Sequence, residues 1–216
     1  VGGFGVDAID SIKRLTQDEL EHFLGCKLFE KNLLVTFHPV TLDTASSEYQ
    51  FNELLTALRP FKDTRLLFTR PNADTEGRRL ALLLDHFVKE NQNAVAFNSL
   101  GQLAYISAIA LVDGVIGNSS SGLIEVPTFK KATINIGDRQ RGRLQARSVI
   151  QCEPNTASIT SALKRMYSKS FQDSLKTVVN PYGVGGATTQ TLAILESIPL
   201  DGIIKKKFYD LGAKCG

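Results

Sequence analysis

Asn118, Ser119, Ser120 and Ser121 stand between two glycines, Gly117 and Gly122, and an acid, Glu125, follows. Hydroxyl and amide groups packed this densely between apolar segments either cap a helix or hold a ligand. An anion needs several donors that can approach it without a clash. Backbone N–H groups at a helix start provide them, and small residues let the backbone come close. Ser119 and Ser120 offer hydroxyls as well as amides, and a charge-assisted hydrogen bond contributes about 1.5–3 kcal/mol. A diphosphate suits such a cluster. Glu125 falls on the first turns of the following helix, where its carboxylate can accept from vicinal hydroxyls such as those of a ribose. The plainer alternative for the serines is a helix cap.

His38 directly follows an apolar run and precedes Pro39, which fixes the turn. By type and place it suits a structural or a functional role equally. His22 and His86 fall in helical runs and read as solvent-facing. Arg139, Arg141 and Arg143 form a cluster that either meets an anion or solvates a loop. Several phosphate and nucleophile signatures do not occur. There is no G-x-x-x-x-G-K-[ST], no G-x-G-x-x-G after the first strand and no G-x-S-x-G elbow. No pair of carboxylates is placed for acid–base work, and no spacing of the three cysteines suits a metal or a disulfide.

The elements that must hold these residues follow from the hydrophobic period. Short apolar runs at Leu33–Phe37, Arg65–Thr69, Asn93–Phe97, Gly114–Gly117, Ala132–Gly137 and Ser148–Cys152 read as strands. Between them, residues 44–61, 74–91 and 100–113 carry helical spacing, and a further helix over 155–169 is capped by Asn155 or Thr156. Strand, helix, strand at about 30-residue spacing is the pattern of parallel crossovers. The expected fold is therefore α/β, a Rossmann-like doubly wound parallel sheet with helices on both faces. Ligands in such sheets sit beyond the carboxyl ends of the strands. The residues found there are His38, Pro71-Asn72, Asn98-Ser99, Asn118 to Gly122 and Gly137 to Arg139, small or polar in each loop. The glycine-rich start lacks a strand and reads as a linker over 1–15. The folded unit spans 16–198 with its last helix, and 199–216, with Lys205 to Lys207, reads as a solvated tail.

Composition agrees with a globular domain: 43% of residues are hydrophobic, sufficient for a core. A net charge of +3, scattered, argues for no nucleic-acid partner. No apolar stretch approaches the length of a membrane span. The expected setting is cytoplasmic, although a start at Val1 leaves room for an upstream segment.

The succession LLVTFHPVTLD, LLFTRPNAD, FNSLGQLAYIS, GVIGNSSSGLIEVP and INIGDRQRGR resembles the hydrolysing UDP-N-acetylglucosamine 2-epimerases of sialic-acid biosynthesis, over nearly the whole chain. The resemblance implies the C-terminal half of a GT-B two-domain architecture, with UDP or UDP-N-acetylglucosamine bound in the cleft between two Rossmann-like halves. It implies that Ser119 and Ser120 hold the diphosphate and Glu125 the ribose. His38 would lie beside the pyrophosphate and help UDP depart, and Asn72, Asn98 and Arg139 would complete the nucleotide site. The implied reaction yields N-acetylmannosamine and UDP by elimination to a glycal and addition of water, without metal or other cofactor. Its main acid and base groups would come from an N-terminal half of the same enzyme, so that this chain alone is expected to be inactive. A homo-oligomer is implied for the full-length protein. The alternatives are the corresponding half of a non-hydrolysing epimerase or another GT-B UDP-sugar enzyme, and a non-catalytic UDP-sugar-binding module.

Overall fold

A computed structural model describes residues 1–40, 46–71, 75–199, 201–202 and 204. Six strands form one parallel sheet: β1 (Lys31–Thr36), β2 (Thr64–Thr69), β3 (Ala94–Phe97), β4 (Gly114–Gly117), β5 (Ala132–Ile136) and β6 (Val149–Cys152). Their spatial order is β3-β2-β1-β4-β5-β6, the doubly wound arrangement.

The central strand shows why the apolar runs are continuous. Leu33, Leu34 and Val35 are each 0% exposed. Successive side chains of a strand point to opposite faces, so both faces here must be covered. On one face Leu33 and Val35 meet helices α3 (Ser47–Leu58), α4 (Thr75–Glu90) and α7 (Thr156–Met166), through Phe51, Leu80 and Leu163 among others. On the other face Leu34 meets α1 (Phe4–Ser11), α2 (Gln17–Leu24) and α5 (Gly101–Leu111), through Ile9, Leu20 and Ile109. The helical period read for residues 44–61 is visible in α3, where Phe51, Leu54, Leu55 and Leu58 are buried and the Ser46 hydroxyl caps the first turn.

Three features differ from the sequence expectation. The helix expected over 155–169 begins as expected on the Asn155 cap but ends at Met166. Ser168 then caps a separate helix, α8 (Lys169–Leu175), its hydroxyl accepting from the Phe171 N–H. The start of the chain, expected to be a linker, contains α1, with Val6 and Ile9 each 1% exposed. That helix is tied to the far end of the chain. Asp7 accepts from the backbone N–H groups of Ala187 and Thr188 at 3.0 and 2.6 Å, at the start of α9 (Ala187–Ser197), and these bonds hold its carboxyl below the usual range. The third is α2, which the sequence marked only as a helical run around His22, without bounds. It opens on a reciprocal capping box between Thr16 and Glu19.

Candidate functional site

The site lies where the chain leaves the sheet in opposite directions, between the carboxyl ends of β1 and β4. Gly117 closes β4 with φ +144°, and a Cβ there would stand 1.9 Å from the Thr36 carbonyl oxygen of β1. Only glycine lets the two strand ends run this close. Asn118 then turns inward at 1% exposure and clamps His38, the second residue beyond β1. Its Oδ1 accepts from the His38 N–H at 2.7 Å, and its Nδ2 donates to the His38 carbonyl at 2.8 Å. Arg139 and Gln140 donate to the Asn118 carbonyl at 3.1 and 2.8 Å, which secures the same turn from the β5 side.

Above this junction lies a cavity of about 560 Å³. Pockets for small ligands run from about 300 to 1,000 Å³, so this cavity is of ligand size. His38 forms one wall with Thr36, Thr69 and Arg70 from the ends of β1 and β2. Asn98, Ser99 and the first turn of α5 form the next, and Tyr105 and Ile106 reach in from the same helix. Ser119, Ser121 and Glu125 close it on the β4 side around the short helix α6 (Ser121–Ile124), and Gly5 and Ala8 of α1 complete it. Gly122 is fixed in α6 by close packing: a Cβ there would lie 2.6 Å from Thr133 Cγ2, and the Thr133 hydroxyl donates to its carbonyl at 2.6 Å.

The charge pattern is uneven. The guanidinium of Arg70 pairs with Asp85 of α4 and holds that carboxyl below its usual range. Glu125 faces α1, and a Cβ on Gly5 would come within 2.9 Å of its Oε1. Around Tyr105 hydroxyls predominate, with the Glu125 carboxylate near enough to act on the phenol. Its hydroxyl stands beside those of Ser121 and Thr36, burial pushes the phenol up, and the Tyr105 and Ser121 hydroxyl oxygens are buried with no hydrogen bond of standard geometry. Buried hydroxyls of this kind usually find a partner. A ligand oxygen entering between them would supply one after a small rotation of either group.

Of the residues singled out from sequence, His38, Asn98, Ser119 and Glu125 all line this cavity. Ser120 heads α6 but lies outside the lining, and its neighbour Ser121 takes that place. Arg139 also lies outside the lining and meets the site through the Asn118 carbonyl. Asn72 lies outside the described residues. Sequence reasoning missed Arg70, Tyr105 and the contribution of α1. Arg70 had a usable signal, since it directly follows β2 at the end of the sheet where ligands bind. Tyr105 had none, because within α5 it reads as one more apolar position. Among the described residues no group of three or more His, Cys, Asp or Glu is placed to hold a metal ion, and no helix is long and apolar enough to cross a membrane.

Comparison with known proteins bears on the family and the fold. The family model described as UDP-N-acetylglucosamine 2-epimerase matches residues 1–196. The GDP/UDP-N,N'-diacetylbacillosamine 2-epimerase (hydrolyzing) of Campylobacter jejuni is 35% identical over 98% of this chain and 55% of its own length. The polysialic acid biosynthesis protein P7 of Escherichia coli is likewise 35% identical, over 98% of this chain and 54% of its own length. The chain thus spans about half the length of the curated relatives it matches. Among solved structures, the Methanocaldococcus jannaschii UDP-GlcNAc 2-epimerase in complex with UDP-GlcNAc and UDP superimposes with a TM-score of 0.67 at 16% identity, over 91% of this chain and 54% of that one. At that identity the likeness concerns the fold.

Proposed function

Because this chain belongs to the UDP-N-acetylglucosamine 2-epimerase family, we propose that it is the nucleotide-binding, C-terminal half of a hydrolysing 2-epimerase of GT-B architecture. One observation carries the reading. The cavity at the switch point places Ser119, Ser121 and Glu125 on one wall and His38 on the other, held together by Asn118. A UDP fits with its diphosphate between His38 and the serine hydroxyls, and with its ribose hydroxyls donating to Glu125. Asn98 and the start of α5 then face the base, and Arg139 supports the site from behind Asn118.

The reaction divides between this half and the rest of the enzyme. A base removes the proton at C2 of the sugar, the C1–oxygen bond breaks, and its electron pair leaves with UDP, giving a glycal. Water then adds across the new double bond, hydroxyl to C1 and proton to C2 on the opposite face. His38 and the hydroxyls beside it stabilise the charge that accumulates on the departing diphosphate, the point at which preorganised donors accelerate such a step. Among the described residues that line the cavity Glu125 is the one carboxylate, and this reading assigns the groups that take and return the C2 proton to the N-terminal half. On this reading the nucleotide-binding unit is 16–198 together with α1, whose Gly5 and Ala8 line the cavity.

Hydrolysis, with release of a free sugar, is supported by the Campylobacter relative, whose name carries that activity. The same name favours a second reading for the sugar, N,N'-diacetylbacillosamine in place of N-acetylglucosamine. The full-length enzyme, incubated in D₂O with each UDP-sugar and followed by NMR, separates these. Free N-acetylmannosamine with deuterium at C2, alongside UDP, is the expected product. A 2-epimer still attached to UDP refutes the hydrolysing assignment, and turnover of the bacillosamine substrate alone moves the sugar to the second reading.

A further inference from the structure

We propose that Arg70 binds the diphosphate of the nucleotide, an assignment that rests on the nucleotide reading above. Among the described residues lining the cavity, Arg70 is the one side chain that is always positively charged. Glu125 is an anion, His38 is cationic only when protonated, and the hydroxyls of Ser119, Ser121, Thr36 and Thr69 are neutral. A diphosphate that leaves water for this cavity needs a compensating charge as well as hydrogen bonds.

The position of Arg70 suits the task. Thr36 and Thr69 are register partners at the ends of β1 and β2, joined by a hydroxyl–hydroxyl bond of 2.9 Å. Arg70 therefore begins one residue beyond that pair, on the wall that His38 shares. Its side chain is 27% exposed, so it is neither sealed in the core nor free in solvent. Asp85 takes an N–H from one terminal nitrogen. A guanidinium carries five N–H donors in a rigid fork, and an acceptor on one nitrogen fixes its plane while donors remain for a phosphate oxygen. Asp85 is thereby the positioning residue. It also offsets part of the Arg70 charge when the site is empty.

The test compares UDP with uridine, which lacks the phosphates, by calorimetry on the full-length enzyme. Arg70→Gln is expected to weaken UDP by about tenfold or more, the loss of one charge-assisted hydrogen bond, and to leave uridine unchanged. Undiminished UDP affinity overturns the assignment, as does a parallel fall of both ligands in a variant that melts like the wild type. Should Arg70→Gln not fold, Asp85→Asn carries the test at a half-exposed position. The amide oxygen at position 85 still accepts from the guanidinium and keeps its plane, while the counter-charge is gone, so UDP tightens by about two- to fivefold against an unchanged uridine. Unchanged or weakened UDP binding there overturns the assignment. Wild-type enzyme that binds neither ligand refutes the nucleotide reading itself, an outcome distinct from UDP binding that ignores Arg70.

Discussion

Replacing Asn118 with alanine is expected to uncouple the two walls of the cavity. The Asn118 side chain makes two hydrogen bonds to the His38 backbone, at 2.7 and 2.8 Å, from a position 1% exposed. Each such bond contributes about 0.5–1.5 kcal/mol net, and a backbone group left unpaired away from water costs more. The variant should therefore lose about 2–3 kcal/mol of stability. At about 2–4 °C per kcal/mol for a domain of this size, melting falls by about 4–12 °C. The bonds from Arg139 and Gln140 go to the Asn118 backbone carbonyl and survive the change, so the loss reports the clamp on His38 alone. His38 then relaxes away from Ser119 and UDP affinity falls with stability, which a cavity made elsewhere in the core would not cause. Scanning calorimetry gives the first quantity, and titration with UDP well below both melting transitions gives the second. Asn118→Asp adds a control. It can still accept from the His38 N–H but cannot donate to its carbonyl, and it buries a charge, so it should be no more stable than the alanine variant. An alanine variant that melts within about 2 °C of the wild type and binds UDP unchanged would refute the idea that this side chain joins the walls.

The close approach of β4 to β1 makes Gly117→Ala severe. With the new Cβ 1.9 Å from the Thr36 carbonyl oxygen, the strand ends must part and ladder bonds must break, so a loss of about 3 kcal/mol or more is expected in denaturant titration. A loss below about 1 kcal/mol would show that the junction yields easily. Away from the site, Glu21 supplies a pH test. Hydrogen bonds from Lys27, Gln17 and the Leu28 N–H hold its carboxyl at about 2, against an ordinary 4.5. Because the folded-state value is the lower one, the contribution of this group is complete above 4.5 and lost as pH falls through about 2. Glu21→Gln should therefore melt below the wild type at neutral pH, with the two curves of melting temperature against pH converging towards pH 2. Parallel curves across that window would remove Glu21 from the acid response.

By itself, the sequence determined the order and type of the main elements. Each strand read from an apolar run lies within about two residues of its observed bounds, because strand burial on both faces and helix burial on one leave local and distinct periods. The loop after β4 and His38 after β1 were legible for the same reason, since each is a polar interruption at a strand end. What tertiary structure decided is which of these residues meet. Asn118 and His38 are 80 residues apart and are joined only by the strand order that sets β4 beside β1. Helix α1 is invisible to periodicity because Gly2, Gly3 and Gly5 interrupt the pattern, and it is anchored by Asp7 to backbone groups 180 residues away. Arg70 and Tyr105 carry no local mark of a binding role. They enter the cavity because strand ends and a helix start converge there, and convergence is a property of packing, which no window of neighbouring residues contains.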